Sequence, residues 1–322
     1  MTATVHCADV VLPMSGAPLR DGAVLVVDAL VVDVGPRADV VRRAGERARV
    51  RRWRGVLLPG LVNAHTHLAL GPSFSDLAHL APDAALDAAS VASWRARVEQ
   101  RAAAMGPDER AVEARGSVHA ALRTGTTCVG DLGVGGVAGA TAGAPAGGLA
   151  GRSWRSGEVT SCPLAPEPPS PRSPVVLRTR SDALLGLPER PVARLLDDGT
   201  PVALGTESLA SCPDLDMLAE ARACRDLAAR QGLEHSATAL LVALTSGGAA
   251  VLGVEAGTLS PGRRADLTVV DVAGHLELGG ASGDGDRVGA ALLDAAAAAL
   301  VEHGAGRCLA TVLAGRLVHR RA

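Results

Sequence analysis

The chain has 322 residues, enough for one large domain or two smaller ones to bury a core without disulfide bonds. Its 32 basic residues, all of them arginine, nearly balance 34 acidic residues, so nucleic acid and anionic membranes are poor partners. Only 1% of the residues are aromatic, which also argues against stacking on bases. The sequence shows no export signal, no apolar stretch of membrane-spanning length and no paired cysteine motif, which predicts a cytoplasmic protein with reduced thiols.

Both ends of the chain carry short Val-rich runs separated by turn residues. These runs predict strands at 23–27, 30–34, 265–272, 309–313 and 316–319. The simplest arrangement is one small β-domain, a β-sandwich, built from residues 1–56 and 255–322 together. An α/β domain is then inserted between them at 57–254.

The middle of the chain alternates between strand-like and helix-like segments. Strands are predicted within 55–68, 127–132 and 202–205, and helices at 84–105, 107–123, 191–198, 215–230 and 236–252. This alternation predicts a parallel sheet or barrel. Residues 133–174 differ, because they are Gly/Ala-rich and then Pro/Ser-rich and show no structural period. We interpret this low-complexity stretch as a flexible insert or as the mark of lost sequence, because long unstructured loops are uncommon inside a domain.

Two histidines, His65 and His67, form the strongest functional motif. On a strand, residues i and i+2 point to the same side, so both imidazoles can reach one ion. The carboxyl end of a barrel strand is also where active sites gather. A divalent metal held there, with Zn²⁺ as the first choice, would supply hydroxide near neutral pH. The alternative is two polar residues at the end of a strand.

A carboxylate, Glu207, follows the predicted strand at 202–205. Beside a metal-bound water it could ligate the ion, take a proton from the water and return it to a leaving amine. As an isolated residue, Glu207 could equally be a helix N-cap or a solvated charge.

Five motifs in order resemble the amidohydrolase superfamily: PGLVNAHTHL, TGTTCVGDL, RSDALLGL, VALGTESLAS and PGRRADLTVVD. The resemblance covers about 1–132 and 175–322 and is closest to the branch that deaminates adenine-containing nucleosides, often described as chlorohydrolase-like. Residues 180–211 and 300–320 look most like aminodeoxyfutalosine deaminases of menaquinone biosynthesis.

This resemblance implies a (β/α)₈ barrel, of TIM type, with a terminal β-sandwich. It also implies one divalent metal and hydrolytic release of ammonia from a small-molecule substrate. His65 and His67 match the first two metal ligands, and Glu207 stands where the family has an aspartate that ligates the metal and moves protons. Trp94 matches a tryptophan that contacts substrate, with packing as the alternative role.

The central part of the family pattern is missing, which predicts an incomplete barrel. A third histidine ligand, a histidine that polarises the substrate and a glutamate that protonates the ring have no counterpart, since the interval from Asp131 to Arg180 contains no histidine. Asp182 stands in place of an asparagine, and Arg178 in place of a cysteine. Two alternatives therefore stay open: a catalytically impaired remnant that acts through association, and a homo-oligomer in which a partner chain supplies ligands.

Overall fold

The computed structural model describes residues 2–78, 88–133, 150–154, 173–276 and 285–321. The strands in these ranges, in chain order, are β1 (Ala3–Val11), β2 (Leu19–Val27), β3 (Leu30–Pro36), β4 (Arg49–Pro59), β5 (Leu61–Thr66), β6 (Thr126–Leu132), β7 (Ala150–Trp154), β8 (Val175–Leu177), β9 (Val202–Leu204), β10 (Leu267–Val270), β11 (Cys308–Leu313) and β12 (Arg316–Arg320).

The helices in the same ranges are α1 (Arg37–Ala44), α2 (Ser75–Ala78), α3 (Ala88–Ala104), α4 (Pro107–Arg123), α5 (Thr179–Leu184), α6 (Val192–Asp197), α7 (Met217–Arg230), α8 (Ala237–Ala243), α9 (Ser246–Leu252) and α10 (Gly285–His303). Local sequence explains several of their starts. Asp216 caps α7 by accepting hydrogen bonds from two backbone amides, and Pro107 begins α4, where its missing N–H costs nothing. Within the described ranges, no helix combines the length and the apolar composition that a membrane span requires.

The two ends of the chain share one seven-stranded sheet. Its strand order is β12-β11-β10-β4-β1-β2-β3, and only the β1–β4 pair is parallel. The sheet curls until β3 meets the entry to β10, where Val31 N donates to Arg263 O at 2.9 Å and Ala265 N donates to Ala29 O at 2.8 Å. This curl encloses an apolar interior lined by residues of β1–β4 and β10–β11, as a small β-sandwich requires.

Five parallel strands lie in the described part of the inserted region. β5, β6 and β7 form one ladder, β8 and β9 form another, and a parallel bridge between Thr66 and Glu207 joins the two. The order across this arc is therefore β7-β6-β5-β9-β8. The arc confirms the incomplete barrel predicted from the sequence. Its outer strands are β7 and β8, and β5 and β9 meet inside it as the first and last strands of a closed barrel meet.

The largest apolar cluster of the described residues lies between the arc, its helices and the outer face of the curled terminal sheet. It combines Leu58 of β4, Leu204 of β9 and buried residues of α7, α8 and α10. Residues on β4 alternate between the two interiors, because Leu57 belongs to the cluster inside the curled sheet and Leu58 to the barrel cluster. Strand β4 therefore connects the terminal sheet with the arc, because its successive side chains point alternately into the two apolar clusters.

Two expectations about secondary structure differ in detail from the structure, and the expected domain boundary is compared with it after them. The stretch 133–174 was expected to lack regular structure, but it contains β7, because backbone pairing with β6 needs no hydrophobic pattern; residues 134–149 and 155–172 lie outside the described residues. The predicted helix at 236–252 is two helices, broken at Thr245. The predicted boundary at 56/57 falls inside β4, and α10 packs against α7 and α8, so the division into domains stays a prediction.

Candidate metal centre

The two histidines of the motif lie at the carboxyl end of β5. Every residue of β5 is buried, and the chain leaves the strand at Thr66, so His65 and His67 stand at the rim of the arc. Their rings lie 5.4 Å apart between centroids, at an angle of 75°. The i, i+2 spacing therefore places both imidazoles on the same side, as the sequence predicts.

Backbone hydrogen bonds fix Glu207 against the same strand end. The His65 carbonyl accepts from Thr206 N and from Glu207 N, both at 3.1 Å, and His67 N donates to Glu207 O at 2.7 Å. Glu207 also has a φ of +63°, in the left-handed region that costs a residue with a side chain about 1–2 kcal/mol. The three backbone bonds hold this conformation, which turns the carboxylate towards the imidazoles.

Two further residues hold the β9 end close to β5. Asn63 donates through Nδ2 to Thr206 Oγ1 at 2.7 Å and accepts from Thr206 N at 3.2 Å. Gly205 lies so near that an added Cβ would stand 2.6 Å from the His65 Cβ. The buried Asn63 amide joins the two strand ends by hydrogen bonds, and Gly205 lets them approach because it has no Cβ.

The donor atoms of His65, His67 and Glu207 converge. One ligand atom from each lies within 4.8 Å of the others. His65 Nε2 is 2.9 Å from Glu207 Oε2, and His67 Nε2 is 3.3 Å from Oε1. Ligands of a tetrahedral zinc with bonds of about 2.0–2.1 Å lie about 3.3 Å apart, so this spacing suits a zinc ion after small adjustments.

The state of the ring nitrogens also fits a metal. His67 Nδ1 is 3.2 Å from the Gly133 carbonyl, which can only accept, so Nδ1 carries a proton and Nε2 of the neutral ring offers its lone pair to the centre. His65 Nε2 is buried, and no described group gives it an aligned hydrogen bond despite the nearby carboxylate. Two imidazole nitrogens and a carboxylate are a donor set used by catalytic zinc. The residues present therefore fit the divalent ion.

A guanidinium from β8 reaches the same carboxylate. Arg178 directly follows β8, is 5% exposed and forms an ion pair from Nη1 to Glu207 Oε2. Its Nη2 is 3.2 Å from Asp182 Oδ1 on the first turn of α5. Arg190 Nε lies 3.9 Å from the other oxygen of Asp182. On this side of the centre, two arginines therefore neutralise the half-buried Glu207 and the buried Asp182.

Burial and the neighbouring charges shift the pKa of all three candidate ligands. Burial lowers the pKa of His65 to about 4, because the neighbouring Glu207 only partly offsets the loss of water. For His67, burial acts in the same sense, but the hydrogen bond and charge of Glu207 outweigh it and raise the pKa. Burial opposes ionisation of Glu207, yet the Arg178 charge and the two imidazoles hold its pKa well below the ordinary value.

The structure places Trp94 in an apolar cluster with Phe74, Leu77 and Leu185. Its indole Nε1 donates to the Ala210 carbonyl at 3.1 Å, so the polar atom of the ring is already used. This environment accounts for the packing role. The substrate contact that the resemblance implies stays a prediction.

Sequence reasoning did not assign two of the residues that form the centre. From the sequence, Arg178 is recognised only as the residue in place of a cysteine. A lone charge directly after the apolar run 175–177 nevertheless indicates a residue at the carboxyl end of a buried strand. Asp131, at the end of β6, accepts from Leu68 N at 3.1 Å and orients the chain after His67. Its signal was the same one, a carboxylate that ends a buried strand.

Comparisons with known proteins agree with this geometry. Residues 171–318 match the model of the amidohydrolase family. A 5-methylthioadenosine/S-adenosylhomocysteine deaminase of Haloarcula marismortui is 41% identical over 90 residues, which cover 27% of this chain and 21% of that protein. The chain therefore aligns with only about a fifth of the length of this relative.

Solved structures show the same fold at lower identity. An adenosine deaminase from Xanthomonas campestris with bound zinc superposes with a TM-score of 0.69 at 21% identity, covering 98% of this chain and 92% of that one. The Helicobacter pylori aminofutalosine deaminase gives a TM-score of 0.64 at 16% identity, covering 98% and 100%. Over residues 171–318 the chain is similar to the amidohydrolase family, and over about a quarter of its length it is similar to a 5-methylthioadenosine/S-adenosylhomocysteine deaminase. Its fold is that of the solved deaminase structures.

Proposed function

We propose that this chain catalyses the hydrolytic release of ammonia from an amino-substituted, nucleoside-like ring. The observation that carries the proposal is the convergence of His65, His67 and Glu207 at the rim of the arc. The relationship to adenosine-type deaminases supports the choice of reaction over other hydrolyses of C–N bonds. In this reaction a water oxygen replaces the amino nitrogen on a ring carbon, and the nitrogen leaves as ammonia.

Each residue has a distinct task in this mechanism. His65 and His67 would hold the ion through Nε2, and the Gly133 carbonyl keeps the His67 ring in the required tautomer. A divalent ion bound there, zinc by its donor set, would supply hydroxide from water near neutral pH. Glu207 accepts the proton of the attacking water on its free carboxylate oxygen and returns it to the leaving amine. Oxygen Oε2 becomes free for ligation or proton transfer only when Arg178 withdraws.

The finer assignments belong to the same proposal. Aminodeoxyfutalosine is the favoured substrate because residues 180–211 and 300–320 resemble the deaminases that act on it, which would place the chain in menaquinone biosynthesis. A small-molecule substrate of this kind is consistent with a cytoplasmic location. Neither nucleic acid nor membrane is needed as a partner, and a homo-oligomer would offer a route to further ligands.

A second candidate function is that of a catalytically impaired remnant, and one observation favours it. The Arg178 guanidinium contacts the carboxylate that the mechanism needs, and the described arc has five strands where the barrel of the family has eight. Such a protein would act through association rather than turnover.

The test is metal analysis of the purified protein combined with an ammonia-release screen. The screen covers adenosine, 5′-deoxyadenosine, 5-methylthioadenosine, S-adenosylhomocysteine and aminodeoxyfutalosine. We expect about one equivalent of zinc after loading, ammonia release from at least one compound, and loss of both in His65→Ala. The exposed His235→Ala is the matched control and should behave as the wild type. Absence of ammonia release from every compound by zinc-loaded protein would favour the remnant.

A further inference from the structure

Arg178 contacts the carboxylate of the candidate centre but carries out no step of the proposed mechanism. It lies at the rim because β8 ends at Leu177, whose carbonyl accepts from Gly205 N at 2.9 Å and so aligns β8 with the β9 end. The Arg178 carbonyl accepts from Asp182 N at 2.8 Å, which fixes the first turn of α5 beneath it. The backbone on both sides of Arg178 is therefore held, and its side chain extends towards Glu207.

The guanidinium and the metal would need the same oxygen. Nη1 of Arg178 contacts Glu207 Oε2, and this is also the oxygen nearest to His65 Nε2, at 2.9 Å. A guanidinium hydrogen bond uses the lone pairs that a cation would take. The position is also enclosed, since the side chain of Arg178 is 6% exposed and that of His65 is 6% exposed.

The charge balance gives a second reason for competition. Arg178 and Arg190 offset Glu207 and Asp182, and the buried Asp131, whose charge acts on His67, adds one negative charge, so these five side chains sum to −1. A divalent ion added to this group leaves one uncompensated positive charge in an enclosed site, which is costly. Without the guanidinium, the charge of the same ion is fully compensated.

We infer that Arg178 is a built-in cation that competes with the divalent metal for Glu207 and so sets how tightly this centre holds its ion. The inference rests on the proposed metal site of His65, His67 and Glu207. It assigns to Arg178 a positioning role: the guanidinium neutralises and orients the carboxylate when the ion is absent and must leave Oε2 when the ion binds. The centre then exchanges its metal instead of holding it permanently.

The first test measures zinc affinity by competition with a chromophoric chelator. Arg178→Met should bind zinc at least about tenfold more tightly than the wild type, because a neighbouring positive charge and a hydrogen-bond competitor are removed. Arg178→Lys keeps the charge and should stay close to the wild type. The exposed Arg194, paired with Asp198 at 3.8 Å, provides the matched control Arg194→Met, which should change nothing. Adding His65→Ala to Arg178→Met should abolish the gain.

The second test measures the melting temperature with and without zinc. Arg178→Met leaves two carboxylates without their shared partner, so its metal-free form should melt below the wild type. Zinc should then raise its melting temperature by more than it raises that of the wild type, because the ion takes over the neutralising role. If Arg178→Met does not fold, Arg178→Met/Asp182→Asn removes one of the unpaired charges and is measured in its place.

The outcomes separate this inference from the proposed function. Equal zinc affinity in the wild type and Arg178→Met, with no extra thermal gain, overturns the inference even if the wild type releases ammonia. Tighter zinc binding by Arg178→Met supports the inference, even when no variant releases ammonia and the proposed deaminase activity fails.

Discussion

The terminal sheet and the barrel arc are held together in different ways. In the terminal sheet, β1 pairs with β2 over eight positions and with β4 over seven, so continuous ladders and apolar packing provide the connections. In the arc, β5 and β9 meet through one bridge, between Thr66 and Glu207, and through the hydrogen bonds of Asn63. The residues that join β5 to β9 are thus also those of the candidate centre or their neighbours. Substitutions there should change function and stability together, whereas substitutions in the terminal sheet should change stability alone.

The largest effect should come from truncating the two leucines of β4 that face opposite interiors. Leu57→Ala and Leu58→Ala each remove a fully buried side chain and should each lower the free energy of unfolding by about 3 kcal/mol. Because β4 belongs to both cores, both variants should shift one shared transition in urea, monitored by tryptophan fluorescence. Two separate transitions in Leu57→Ala would show that the terminal sheet unfolds independently of the arc.

A rise in pH from 4.5 to about 8 should lower the stability of the arc through Glu220 on α7. This carboxyl is fully buried, and burial raises its pKa to about 8 from 4.5. The folded protein keeps a proton that the unfolded chain loses, so stability from this group is complete below pH 4.5 and falls as the pH rises towards 8. At pH 8 the free energy of unfolding of Glu220→Gln, measured by urea denaturation, should therefore be higher than that of the wild type by on the order of 3 kcal/mol. The exposed Glu234→Gln is the control; a parallel pH profile in both variants would contradict the assignment.

Separating the two strand ends should damage the centre and the arc together. In Gly205→Ala the new Cβ would stand 2.6 Å from the Cβ of His65 and 2.8 Å from its carbonyl oxygen, so β9 must move away from β5. We expect a loss of about 2 kcal/mol and weaker zinc binding, measured by denaturation and chelator competition. Gly16→Ala meets no atom within 4 Å and should leave both quantities unchanged. Normal zinc affinity in Gly205→Ala would show that the close approach does not position the ligands.

Acid should weaken the terminal sheet through His6 on β1, the opposite sign to Glu220. Burial, with a smaller effect of Arg51, lowers the pKa of His6 to about 4 from 6.5, and its Nδ1 accepts from Trp53 Nε1 at 3.2 Å. Stability from the neutral ring is present above pH 6.5 and is lost as the pH falls towards 4.

His6→Gln should therefore lose less stability than the wild type between pH 7 and pH 5, by on the order of 1 kcal/mol. The exposed His119→Gln serves as the control and should follow the wild type in urea denaturation at both pH values. If His6→Gln and the wild type lost equal stability over this interval, His6 would not be the acid-sensitive group of the terminal sheet.

Local sequence signals were sufficient for much of the fold. The predicted helix at 107–123 coincides with α4, because Pro107 and the helical spacing define it without help from other elements. The motif at His65 and His67 was also readable, since the period of two on a strand is a local property. By contrast, β7 has no apolar alternation to reveal it and exists through its pairing with β6. The break at Thr245 likewise has no Gly or Pro signal at that residue.

The amino-acid sequence alone determined the residue types of the centre, the order of the motifs and the absence of histidine between Asp131 and Arg180, because these are properties of composition and spacing. Only the tertiary structure decided that Glu207 faces both imidazoles and that Arg178 reaches the same carboxylate, since these contacts join β5, β8 and β9 across 29 residues or more of chain. Such contacts depend on which strand ends are neighbours in the barrel, and the local sequence of a strand does not specify its neighbours. The charge balance of the centre is therefore a property of the folded arc.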